Sequence, residues 1–135
     1  MYAAEFDYVR ASSIEEAISL KRANEDSSLL AGGHSLIPAM KLRLSTPQKL
    51  IDISGLDQLK NISNNGSYIS IGALCTHKQC AESDIIQSNC PALSDAASVI
   101  GDPHVRNKGT LGGALAHSDP QADYPGVVLA LNATI

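Results

Sequence analysis

Three stretches hold residue types at spacings that could do chemistry. The first is AGGHSLIPAMKLR at 31–43, where the apolar run Leu29-Leu30-Ala31 meets Gly32-Gly33 and then a helical pattern. A strand–Gly–Gly–helix junction aims several backbone N–H groups at one spot, because the first N–H groups of a helix have no acceptor inside it. The helix dipole adds about 0.3–1 kcal/mol for a nearby anionic charge. Glycines lack the Cβ that would keep a phosphate off the backbone. Ser35 adds a hydroxyl donor and His34 a ring N–H, so residues 31–36 read as a phosphate cradle without lysine. Taken alone, the same residues are more often only a tight turn. The second stretch, Gly109-Thr110-Leu111-Gly112-Gly113, reads as another Gly-Gly turn with a hydroxyl residue. One phosphate needs one such turn; a pyrophosphate can use two. The third is Cys75, His77, Cys80 and Cys90, whose spacing matches neither a zinc ribbon nor a ferredoxin run. Reduced, partly buried thiols are the better reading.

Other phosphate motifs fit poorly. A Walker loop ends in Gly-Lys-Ser/Thr, which is missing, and the dinucleotide fingerprint needs a spacing and a third glycine that 32–36 lack. Asp52, at the end of the next strand, does sit where a ribose-binding acid would. A nicotinamide-dinucleotide βαβ protein therefore stands as one alternative. Around these stretches, single residues have plainer roles. Arg106 reads as a structural ion pair or carbonyl contact, and His117 with Asp119 as a solvated pair. Lys41 and Arg43 complement the negative end of their helix.

The elements that must position these residues follow from periodicity and capping. Phe6–Val9 reads as a strand. Ser13-Ile14-Glu15-Glu16 fits a capping box, with a helix over about 13–24. NEDSS at 24–28 is a turn, and Leu29-Leu30-Ala31 a buried strand. A short helix then runs to about Leu42, with Pro38 tolerated near its first turn, and KLIDI at 49–53 is a strand. That β-α-β-α-β order predicts a small parallel sheet. Asn64-Asn65-Gly66 between two apolar runs signals a hairpin, so the chemistry turns antiparallel. The expected organisation is α+β in two subdomains, 1–57 and 58–135. Helices are expected at about 76–82 and 91–100, residues 101–113 as an irregular Gly-rich segment, and Asp123–Ile135 as an apolar helical stretch. The tail LNATI has no polar closure, which predicts that the natural chain continues.

The chain has 135 residues, 44% hydrophobic and 18% charged, a folding composition rather than a disordered one. A net charge of −4 argues against nucleic acid or an anionic membrane as partner. No apolar run approaches a membrane span. The start MYAAEFDYVR lacks a signal-peptide core, which points to the cytoplasm.

With these residues in hand, the chain resembles the N-terminal part of the FAD-binding medium subunit of molybdenum hydroxylases, the aerobic carbon monoxide dehydrogenase and xanthine dehydrogenase type. The resemblance rests on FDYVRASSIEEAISL at 6–20, AGGHSLIPAMKLRL at 31–44, IGALCTH at 71–77 and VRNKGTLGGALAHSDPQADYP at 105–125. It implies the FAD-binding fold of vanillyl-alcohol-oxidase-type flavoproteins, with the second subdomain incomplete, since family members run to about twice this size. The family's first glycine motif falls on Leu30, Ala31, Gly32, Gly33, His34, Ser35, Leu36 and Ile37, implied to hold the FAD pyrophosphate. The second falls on Thr110, Leu111, Gly112, Gly113 and Ala114, implied to face the same diphosphate. Gly101 and Asp123 match further cofactor-lining positions; Asp123 is equally a candidate N-cap for the helix after it. The implied function is electron transfer from iron–sulfur clusters through FAD to an acceptor. The implied partners are a molybdenum-cofactor large subunit and an iron–sulfur small subunit. No side chain is implied as acid, base or nucleophile. A non-catalytic assembly fragment of such a complex is a further alternative.

Overall fold

Every buried position of the strand Lys49–Asp52 follows from where it sits. In a computed structural model describing residues 1–135, this strand (β3) lies between β1 (Asp7–Arg10) and β2 (Ser27–Leu30), parallel to both. Tyr8 pairs with Leu50 and Leu30 with Asp52, and Leu50, Ile51 and Asp52 are all buried. The expected β-α-β-α-β order is present, with α1 at Ile14–Ala23 and α2 at Leu36–Lys41 as the connecting helices. Val9, Ala11, Ala17, Leu20, Ile51 and Ile53 form the apolar core here.

Local differences have local causes. The predicted capping box is half realised. Ser13 Oγ accepts from Glu16 N at 3.1 Å, but the Glu16 carboxylate reaches one residue further back and accepts from Ser12 N at 2.7 Å. The strand expected at Leu29–Ala31 begins earlier, at Ser27, and is buried only at Ser27. It is an edge strand, and Leu29 is 46% exposed. An apolar run alone does not separate an edge strand from a central one.

Asp52 is held by its neighbours. Tyr8 Oη donates to its Oδ2 at 2.5 Å, Ser54 N donates to its Oδ1 at 2.8 Å, and Arg10 Nε lies at 3.9 Å. Burial acts to raise its carboxyl, but the Tyr8 and Ser54 hydrogen bonds and the Arg10 charge outweigh it and hold the group below the usual carboxylate range. A carboxyl depressed in the folded state contributes stability above its unfolded pKa and loses it as pH falls through the folded value. Tyr8→Phe should therefore raise the Asp52 pKa and start the acid loss of stability at higher pH. NMR titration of Asp52 and thermal unfolding between pH 3 and 7, close below and above the ordinary Asp pKa of about 3.9, check both.

The backbone packs as two compact units, Met1–Asp57 and Gln58–Ile135. The second opens with an antiparallel hairpin, β4 (Ile62–Asn64) and β5 (Ile69–Ile71), whose turn places Gly66 at φ +90°. Asn64 and Asn65 brace that turn, their side-chain oxygens accepting from the amides of Gly66, Ser67 and Tyr68. Six helices follow: α3 (His77–Glu82), α4 (Asp84–Asn89), α5 (Pro91–Val99), α6 (Pro103–Lys108), α7 (Leu111–His117) and α8 (Asp123–Ala130). Their core is Cys75, Cys80, Ile86, Leu93, Ala97, Leu111 and Tyr124.

Residues 101–113 are not irregular, contrary to the sequence-based expectation. Asp102 caps α6, its Oδ1 accepting from His104 N and Val105 N, and Pro103 occupies the first helical position. Thr110 caps α7, accepting from Gly113 N at 3.1 Å. Asp-Pro and Thr three residues before a glycine are start signals that glycine content obscured. The helix α4, which had no counterpart in the sequence reading, begins the same way at Ser83, which accepts from Ile86 N.

Candidate functional site

The first glycine segment keeps its amides free. Between the end of β2 and the first turn of α2, the N–H groups of Ala31, Gly32, Gly33, His34, Ser35 and Leu36 make no hydrogen bond within the protein. The chain turns at Gly33, with φ +75°, a conformation glycine adopts without cost. Its carbonyl accepts from Ile37 N at 2.9 Å and so starts the helix. Ser35 stands at the N-cap position, but its hydroxyl makes no capping bond. His34 and Ser35 are exposed; Leu30, Ala31, Gly32, Gly33 and Leu36 are half-buried. Ile37 is 40% exposed. A run of unpartnered donors beside a spare hydroxyl is an anion cradle by chemistry.

The second glycine segment is built differently. Gly112 and Gly113 do not form a turn: they are the second and third residues of α7. Their amides are already used. Leu111 N donates to Cys75 O, Gly112 N to Ala73 O, Gly113 N to Thr110 Oγ1 and Ala114 N to Thr110 O. What the structure shows at these glycines is close packing. A Cβ on Gly112 would stand 2.7 Å from Ala73 O and 2.8 Å from Ala73 Cα. A Cβ on Gly109 would stand 2.6 Å from His77 Nε2. Thr76 and Thr110 face one another in an antiparallel bridge, with His77 N donating to Gly109 O.

That bridge leads to a buried polar cluster that sequence reasoning did not assemble. His77 Nδ1 lies 3.0 Å from Tyr124 Oη, and Cys80 lies beside the phenol. Burial pushes the Cys80 thiol up to about 12 and the Tyr124 phenol strongly upward as well, so both stay protonated near neutrality. Cys75, Cys80 and Cys90 are free thiols. No signal in the spacing links residue 77 to residue 124. Tyr124→Phe removes the partner of a buried ring nitrogen and should cost about 1–3 kcal/mol in urea unfolding, with little change in backbone circular dichroism.

The remaining sequence candidates separate. Arg106 Nη1 donates to Ile100 O at 2.6 Å, a carbonyl contact. His117 and Asp119 are both exposed, and Asp119 Oδ1 accepts from Gln121 N. Asp123 is not an N-cap: Ala122 holds that position, and Asp123 is the first residue of α8, exposed and with no capping bond. Gly101 has open space around it, with nothing within 4 Å of a built Cβ. Asp52, the candidate ribose acid, has both oxygens engaged by Tyr8 and Ser54.

Comparison with known proteins fits this layout. The profile of the FAD binding domain in molybdopterin dehydrogenase matches residues 4–135. The glyceraldehyde dehydrogenase medium chain of Sulfolobus acidocaldarius is 44% identical over 135 residues, 100% of this chain and 48% of that one. A chain of the solved carbon monoxide dehydrogenase from Hydrogenophaga pseudoflava superposes with a TM-score of 0.93 at 44% identity, over 96% of this chain and 46% of that one. Quinoline 2-oxidoreductase from Pseudomonas putida 86 gives a TM-score of 0.85 at 34% identity, over 88% of this chain and 42% of that chain. The chain thus spans about half the length of the curated relatives it matches. No helix is long and apolar enough to cross a membrane. With its α+β fold, its free-amide glycine turn and a profile match over nearly its whole length, this chain belongs to the FAD-binding domain family of the molybdopterin dehydrogenases.

Proposed function

We propose that this chain is the N-terminal part of a flavin-binding electron-transfer subunit, and that the turn at Ala31–Leu36 holds the pyrophosphate of FAD. The observation that carries this reading is the run of six adjacent backbone N–H groups without an internal acceptor. Anionic oxygens would satisfy donors that otherwise face solvent, and the left-handed Gly33 leaves the backbone uncovered for close approach. Ser35 contributes its uncommitted hydroxyl, His34 a ring N–H, and Leu30 and Ile37 flank the cradle. The second motif fits only in part. Thr110, Leu111, Gly112, Gly113 and Ala114 are assigned to the flavin by their match to the family motif, while the amides of 111–114 are bound to protein acceptors. Gly101 and Asp123 are assigned the same way. Open space at Gly101 and an exposed, uncapped carboxylate at Asp123 are compatible with contact to a ribose or ring edge.

When bound, FAD supplies the redox chemistry, accepting electrons singly and releasing them in pairs. The residues of this chain bind and orient; none is required as acid, base or nucleophile. Electrons would arrive from an iron–sulfur small subunit served by a molybdenum-cofactor large subunit, in the cytoplasm, and leave to an acceptor such as a quinone or NAD. The engaged Asp52 carboxylate disfavours the alternative of a nicotinamide-dinucleotide protein.

The test is a full-length subunit that begins with this chain, purified and scanned between 300 and 550 nm. Stoichiometric flavin absorption, undiminished by a hundredfold excess of NAD, is expected. Excess ligand at 100 times its Kd would stabilise a true binder by about 2.7 kcal/mol, so thermal shift separates the two cofactors independently. A folded subunit that takes up NAD and not FAD overturns the reading.

A further inference from the structure

One buried ring touches both segments of the second unit that carry flavin-assigned residues. His77 is buried, and its backbone N–H donates to Gly109 O at 3.0 Å. Its ring presses on the same glycine, since a Cβ on Gly109 would stand 2.6 Å from Nε2 and 2.8 Å from Cδ2. Thr110, the next residue, bridges to Thr76, the residue before His77. On its other side the ring meets α8. Its Nδ1 lies 3.0 Å from Tyr124 Oη, and the two ring centroids are 5.3 Å apart. Tyr124 follows Asp123 directly and is the one buried residue of α8.

That helix has little else to fix its start. Ala122 stands at its N-cap and offers no capping side chain, and residues 116–121 before it are exposed. The phenol of Tyr124 therefore anchors the helix start, and with it the backbone of Asp123. Cys80, wholly buried, packs beside the same phenol. Thr110 in turn has one donor left to give. The amides of 111–114 are spent on protein acceptors, and Thr110 Oγ1 accepts from Gly113 N, which leaves its hydroxyl proton.

We infer that His77 and Tyr124 are positioning residues for the flavin: their contact holds Thr110 and Asp123 at a fixed separation, so that both meet the cofactor at once. The inference rests on the reading above that assigns Thr110 and Asp123 to FAD. Both rings act through the backbone they hold, and a separation already fixed before binding spares the cost of ordering it then.

The experiment titrates FAD into the flavin-free full-length subunit and its variants, well below their melting temperatures. Tyr124→Phe and His77→Leu each remove one partner and should weaken FAD binding about fivefold or more, the equivalent of one hydrogen bond. His77→Asn keeps an amide near the place of Nδ1 that can donate or accept, and should restore binding to within about twofold of wild type. Ile86→Val deletes one methyl from α4 in the same core and is the stability control, expected to keep wild-type affinity. At saturating FAD every molecule is folded and loaded, so a merely structural pair would leave the bound cofactor unchanged. The phosphorus NMR signals of the bound diphosphate and the visible circular dichroism of the flavin should move in Tyr124→Phe and stay in Ile86→Val. Wild-type affinity and unchanged bound spectra in Tyr124→Phe and His77→Leu overturn the inference and leave flavin binding in place. Equal weakening by Ile86→Val at a matched urea midpoint also overturns it, because stability alone then accounts for the loss. If one of the two variants does not fold, the other decides. A wild-type subunit that takes up no FAD overturns the flavin reading itself and this inference with it.

Discussion

Gly33→Val in a full-length subunit should lower flavin affinity at least tenfold and leave the rest of the fold standing. Gly33 sits at φ +75°, where a β-branched side chain is a steric outlier. Holding a non-glycine residue there costs about 1–3 kcal/mol, and about 1.4 kcal/mol is a factor of ten in affinity. The strain has two outlets: the turn moves to a negative φ, or the protein carries the cost. The turn is the easier outlet. It lies at the edge of the sheet, half-buried, and none of its amides is tied to the protein. A repositioned turn then no longer aims those amides together. Side-chain crowding is the smaller effect, because the nearest atom to a built Cβ, Ile37 Cδ1 at 2.7 Å, is the free end of a partly exposed side chain. Flavin absorption per mole of protein and the urea midpoint check the prediction together. Gly101→Ala is the comparison. It has open space and no left-handed φ, so its stability should not move. Loss of flavin from Gly101→Ala at unchanged stability would mark a direct contact at that position. Stoichiometric flavin retained by Gly33→Val would remove the cradle from the account.

How legible was this architecture in the sequence? The parallel sheet was, because Tyr8, Leu50 and Leu30 fall in runs bounded by caps and turns whose chemistry is local. The hairpin was, because Gly66 needs its positive φ and Asn64 and Asn65 supply the side-chain acceptors. The edge position of β2 was not, since Leu29 has the same hydrophobicity whether a third strand covers it or water does. The two glycine motifs looked alike in the sequence and differ in structure for a non-local reason. Gly33 is shaped by its own dihedral angle, whereas Gly112 is shaped by Ala73, a residue far away in sequence. The His77–Tyr124 pair was hidden for the same reason. A motif names a backbone that needs glycine; only the neighbours say whether the need is a ligand or a wall.

Gly112 allows that difference to be measured. Gly112→Ala should destabilise the second unit by about 1.5–4.5 kcal/mol, combining about 1–3 for overpacking with about 0.5–1.5 for a lost backbone hydrogen bond. The atoms a Cβ would meet, Ala73 O, Cα and Cβ at 2.6–2.8 Å, belong to the backbone and to a methyl with no rotamer to change. Relief therefore requires α7 to slide away from Ala73. That movement strains Gly112 N–Ala73 O at 2.9 Å and Leu111 N–Cys75 O at 2.9 Å together. Gly113→Ala is the internal standard. Its Cβ meets only Thr110 Oγ1, at 2.7 Å, so the structure gives up one cap, worth about 1 kcal/mol. Urea midpoints should thus fall in the order wild type, Gly113→Ala, Gly112→Ala. Any flavin lost by Gly112→Ala should return on stabilising the fold with an osmolyte such as sucrose, since the defect lies in packing. If Gly112→Ala instead unfolds at the wild-type urea concentration and still fails to bind flavin, the glycine is needed for the ligand's approach, and the close contact with Ala73 is not what requires it.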